Sequence, residues 1–78
     1  PNPFNPNTLI RYSINTKNFV TIKIFDILGK EVSSLVNKVQ DAGNYSAEFN
    51  ARDLPSGVYF YRINSGNFTE IRKMTLVR

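Results

Sequence analysis

Six side chains in this chain could move a proton or hold a cation: Asp26, Glu31, Asp41, Glu48, Asp53 and Glu70. There is no histidine and no cysteine among the 78 residues. Their absence removes the usual general base, the Ser-His-Asp triad, thiolate metal sites and disulfides. A carboxylate pair that cleaves a glycosidic bond must flank a cleft. The spacing of these six builds no such pair, and a chain this short leaves little material for a cleft. Asp26, Asp41 and Asp53 stand near glycines or turns, where Asp ordinarily folds the turn through its own side chain. Calcium held by turn carboxylates is the remaining option, but no EF-hand spacing is present. The reading is a domain that is not an enzyme, with no metal and no cofactor.

The aromatic and basic residues are the second chemical feature. Tyr59-Phe60-Tyr61-Arg62 could stack on bases or sugars. The ten Lys and Arg are scattered, giving a net charge of +4 without a basic block. The glycine-aromatic signature of RNA-recognition folds is missing. Nucleic acid is therefore not expected as a partner, and the rings read as core and cross-strand packing. A carbohydrate-binding module stays open as an alternative, with Tyr45, Tyr59 or Tyr61 as a flat exposed platform.

These residues must be positioned by strands. Residues 54–63 hold the most apolar run, opened by Pro55-Ser56-Gly57 as a tight turn. Tyr59, Tyr61 and Ile63 point one way and Val58 and Phe60 the other, so this strand is expected to be central and covered on both faces. Residues 8–14 alternate, with Ile10, Tyr12 and Ile14 inward. Residues 19–25 alternate more cleanly, with Val20, Ile22 and Ile24 inward. A turn follows, with Gly29 at positive φ and Ile27-Leu28 tucked in. Residues 30–39 are ambiguous: Val32, Leu35, Val36 and Val39 have helical spacing, yet a strand with one bulge at Ser33-Ser34 fits the β surroundings better. Residues 40–44 read as a loop. Tyr45, Ala47 and Phe49 alternate inward, Ser65-Gly66-Asn67 is a hairpin turn, and residues 68–77 form the last strand with Met74 and Leu76 inward. The first seven residues, with three prolines, read as an extended arm anchored by Phe4. Short strands separated by frequent turn signals predict an all-β fold, a small antiparallel β-sandwich, with a barrel as runner-up.

Three motifs stand in order: Pro1-Asn2-Pro3 before the first strand, Gly57-Val58-Tyr59 in the penultimate strand, and Lys73-Met74-Thr75-Leu76-Val77-Arg78 at the end. Between them lies Phe25-Asp26-Ile27-Leu28-Gly29-Lys30-Glu31-Val32. Together they resemble the type A C-terminal sorting domain of the type IX secretion system, a profile that overlaps the Ig-like domain of flagellar hook-capping proteins. The resemblance covers essentially the whole chain. It implies a seven-stranded Ig-like sandwich and a single domain over residues 1–78, expected to be a piece of a larger secreted protein. It also implies a role as an export signal for an N-terminal passenger, covalently continuous with it. An outer-membrane translocon and its shuttle protein would read the domain. A sortase-like cysteine peptidase would act upstream of Pro1. The route would run through the periplasm to the outer-membrane surface or the medium. The sorting-motif residues carried over are Pro1, Asn2, Pro3, Gly57, Tyr59, Lys73, Met74, Leu76, Val77 and Arg78. On this reading Met74, Leu76 and Val77 offer pocket contacts, Lys73 and Arg78 offer charge, and the last strand is an edge that a partner sheet can extend. The isolated domain is expected to be a monomer, with edge-strand association open. A structural, polymerising Ig-like module is the other alternative.

Overall fold

The computed structural model describes residues 6–78. The Pro1-Asn2-Pro3 motif and the Phe4 anchor lie outside the described residues. Six strands follow one another: β1 (Asn7–Ile14), β2 (Asn18–Asp26), β3 (Glu31–Gln40), β4 (Gly43–Asn50), β5 (Gly57–Ser65) and β6 (Phe68–Leu76). They form two antiparallel sheets, one of four strands in the order β3-β2-β5-β6 and one of two strands, β1-β4. Six strands are described where seven were expected.

The core lies between the sheets. Alternation along β2 puts Val20, Ile22 and Ile24 on one face, and all three are fully buried. Ile10 and Ile14 of β1 and Phe49 of β4 meet them from the small sheet, with Ile63, Met74 and Leu76 from β5 and β6. β5 is central, paired to β2 and β6. Only one of its faces is covered, however: Val58 and Phe60 on the other face are part-exposed. An all-apolar strand here marks an open second face, not a third layer.

β3 resolves the helical spacing. Val36 pairs with Ile22 and Ser34 with Lys23, leaving Leu35 as an extra residue; Ser33 pairs with Ile24 and Glu31 with Phe25, leaving Val32 as another. Two bulges rather than one at Ser33-Ser34 bring Val32, Leu35 and Val36 together against the core. A strand with two extra residues thus imitates a helix period. Val39, beyond the bulges, faces solvent, and Gln40 is buried in its place. Strands also reach further than expected, since only Asp41 and Ala42 separate β3 from β4.

The turns follow local chemistry. Asp26 Oδ1 accepts from the backbone N–H of Leu28 at 3.0 Å and of Lys30 at 2.9 Å, and Gly29 takes φ 85°. That closes a three-residue hairpin loop of the type I plus bulge kind. Ile27 and Leu28 are the loop residues, so they are thrust outward, contrary to expectation; Leu28 is 89% exposed. At the β5–β6 hairpin Ser65 pairs with Phe68 across Gly66 and Asn67. Gly66 has φ 59° and, among the described residues, no non-glycine residue has positive φ, which makes a type II′ turn.

Candidate functional site

The described motif residues, those of the Gly-x-Tyr and tail motifs, lie together on β5 and β6 and the tail that follows. Gly57 pairs with Leu76 and Tyr59 with Met74 in the β5–β6 ladder. The Gly-x-Tyr motif and the tail motif are therefore two sides of one strand pair. Gly57 has φ 153°, and a Cβ there would touch nothing within 4 Å. Its glycine answers a backbone conformation that other residues rarely adopt, rather than a lack of space. Tyr59 is buried in the core, and its hydroxyl donates to the carbonyl of Pro55 at 2.7 Å. The ring fills the interior while the hydroxyl ties down the turn that precedes it.

Ala51 is the knot of this end, fully buried although its neighbours form a polar loop. Its N–H donates to the Pro6 carbonyl at 2.6 Å, which holds the start of the described chain. Its carbonyl accepts from the N–H of Leu54 at 3.0 Å and from Nη1 of Arg78 at 3.2 Å. The same Nη1 donates to the Leu54 carbonyl at 2.7 Å, and the Arg78 backbone N–H reaches Ser56 Oγ at 3.3 Å. The tail is clasped to the turn that leads into Gly57. The first strand, the Gly-x-Tyr turn and the basic end thus converge within one hydrogen-bonded cluster. Beside it, a groove of about 370 Å³ is lined by Leu54, Tyr59 and Val32 and by the exposed Ile27 and Leu28.

The expected roles divide on this geometry. Met74 and Leu76 are core residues, 4% and 1% exposed. They cannot offer pocket contacts without β6 leaving its sheet. Val77 is half-exposed and open to contact. Lys73 faces outward opposite Phe60, while the Arg78 guanidinium is spent on internal carbonyls. No residue pattern marks Ala51, Pro6 or Ser56 as members of the cluster. A small apolar residue in a polar loop was the one hint.

The tyrosine platform is not formed. Tyr59 is buried, Tyr12 and Tyr45 stack on each other with ring centroids 5.4 Å apart, and Tyr45 and Tyr61 pack against the core. Burial pushes the Tyr61 phenol above its ordinary value, opposed by the charge of Arg72. Arg72 lies against Glu70 at 2.8 Å, and that hydrogen bond raises its own pKa. Among the described residues no group of three or more acidic side chains could hold a metal ion.

The chain is a small all-β domain whose distinctive residues tie its own strands and turns together. The chain belongs to the secretion system C-terminal sorting domain family, whose model matches residues 1–77. It is a sorting signal for type IX secretion. No curated protein and no solved structure matches it.

Proposed function

We propose that residues 1–78 act as one Ig-like domain that carries a covalently attached N-terminal passenger from the periplasm through the outer-membrane translocon. The order β3-β2-β5-β6 corresponds to the C′-C-F-G sheet of Ig-like sandwiches, and β1-β4 to their B and E strands. In this reading the translocon and its shuttle protein read the folded end built by Gly57, Tyr59 and the tail. A sortase-like cysteine peptidase acts upstream of Pro1. Pro1, Asn2 and Pro3 carry the first of the three motifs. Gly57, Tyr59, Met74 and Leu76 hold the recognised shape, and Arg78 clasps it. Lys73 and Val77 are the tail residues free to touch a receptor. The observation that carries the reading is the convergence on Ala51 of Pro6, Leu54 and Arg78, which ties the start of the described chain and the tail to the loop that leads into Gly57.

The test is a periplasm-directed reporter fused to this domain in a bacterium with a type IX system. Reporter is expected at the cell surface or in the medium, and to be retained when the translocon is deleted. Retention of the intact fusion in a translocon-positive strain would sink the proposal.

A further inference from the structure

The outer face of the four-stranded sheet carries an arrangement that folding alone does not favour. Lys23 on β2 stands directly opposite Arg62 on β5, and like charges in that position are destabilising. Lys73 on β6 shares the face one step along, opposite Phe60. The carboxylates nearby are already engaged. Glu31 pairs with Lys23 at 3.6 Å, and Asp26 accepts from two backbone amides. Arg62 and Lys73 have no ion pair among the described residues.

Arg62 is the more telling of the two. Its guanidinium carbon sits 4.9 Å from the centroid of the Phe25 ring. Its Nε is buried and has no hydrogen-bond partner. The ring face attracts the cation but supplies no acceptor for that N–H. A buried donor left unmade costs more than a typical hydrogen bond gains. Beside it lies an apolar cleft of about 310 Å³ between Phe25, Phe60, Ile27 and Ile71, and Ile71 is 63% exposed. The sheet therefore presents unpaired cations around an apolar socket.

We propose that this face docks an extended acidic segment of a partner protein, with one apolar side chain in the cleft and carboxylates on Arg62 and Lys73. The spacing favours a polypeptide. Arg62 and Lys73 are one strand apart and two residues apart along the sheet, so their Cα atoms are about 8 Å from each other. Same-side residues of an extended chain recur every ~6.8 Å, which long Arg and Lys side chains span easily. A carboxylate on Arg62 forms a charge-assisted bond and relieves the Lys23–Arg62 repulsion at the same time. The proposal adds a surface and a partner chemistry to the sorting role, and its binding is read without export.

The probe is a blocked peptide in which two glutamates flank a phenylalanine, titrated into the 78-residue chain and followed by amide chemical shifts. Saturable shifts confined to β2, β5 and β6 are expected. They should weaken by about tenfold in Arg62→Gln and fade near roughly 0.5 M salt. Lys73→Gln, at a more open position, is expected to fold as the parent does and to weaken binding less. A glutamine version of the peptide should not bind. Absence of shifts at millimolar peptide, or shifts that persist unchanged in both variants, overturns the proposal. So does Arg62-dependent sedimentation with phosphatidylglycerol vesicles in place of peptide binding, which would make the surface a lipid site. Loss of export with peptide binding intact would instead count against the sorting reading.

Discussion

Arg78→Ala should loosen the motif end without touching the core. The substitution removes one guanidinium that donates to the carbonyls of Leu54 at 2.7 Å and Ala51 at 3.2 Å. A hydrogen bond from a charged donor is worth about 1.5–3 kcal/mol when well shielded. Two features reduce that here. The Leu54 contact is exposed, and the Ala51 carbonyl keeps its bond from the N–H of Leu54 after the change. No buried acceptor is orphaned, so the net loss is about 1–1.5 kcal/mol. For a domain of this size that lowers Tm by roughly 4–12 °C. Thermal unfolding followed by circular dichroism gives the number. Amide exchange should quicken at residues 51–57 while Ile22 and Ile24 stay protected. Removing residues 75–78 is a poorer test, since it also takes Leu76 out of the core. A Tm for Arg78→Ala within about 1 °C of the parent, with unchanged exchange at the turn, would refute the clasp.

Tyr59→Phe keeps the ring and loses the bond to Pro55, so denaturant unfolding should show a loss of about 0.5–1.5 kcal/mol. Tyr59→Ala also empties a buried site; a loss in the range of about 3–5 kcal/mol would leave much of a small domain unfolded. Asp26→Ala frees the amides of Leu28 and Lys30 at an exposed hairpin and should cost about 1 kcal/mol, with exchange quickening at those two amides. Burial raises the phenols of Tyr12 and Tyr61 above the ordinary value of 10.0, against the lowering effects of Gln40 and Arg72. The unfolded chain then releases protons first, so their contribution is present below pH 10 and lost as pH rises through the folded values; stability should fall on the alkaline side, and Tyr12→Phe should flatten that fall.

The strand faces were readable because period-2 alternation survives any loop arrangement. Ile10, Tyr12 and Ile14, then Val20, Ile22 and Ile24, then Tyr45, Ala47 and Phe49 all face inward as their spacing requires. Failures came where tertiary geometry breaks that period. Two bulges in β3 mimic a helix, and no local signal separates two extra residues from one. Ile27 and Leu28 look like core by composition, but the Asp26 side chain and Gly29 fix a loop that points them outward. The motif cluster was legible as a set of residue types and not as contacts. Gly57 and Tyr59 are 19 and 15 residues from their partners Leu76 and Met74, and meet them only because the hairpin at Gly66 sets that register. Ala51 is not legible in the sequence because its part is played by backbone atoms, which carry no residue identity.

The long-range pairing of β1 has a consequence for how the chain is made. Asn7 pairs with Asn50 and Ile14 with Gly43, so the first strand to emerge has no sheet partner until the fourth is synthesised. β5 can pair with β2 as soon as it is made, but its other edge waits for β6, and the turn before it gains its last hydrogen bonds only when Arg78 arrives. A ribosome must therefore extend the apolar stripe of β2 through β4 before anything covers both edges of the core. Every chain broken off before residue 76 lacks the Leu76 plug, and every one broken off before 78 lacks the clasp. Nested truncations should gain protease resistance in a late step rather than gradually. The fold therefore closes last at the end where Gly57, Tyr59 and Arg78 meet, and the shape of that end reports that β6 has docked.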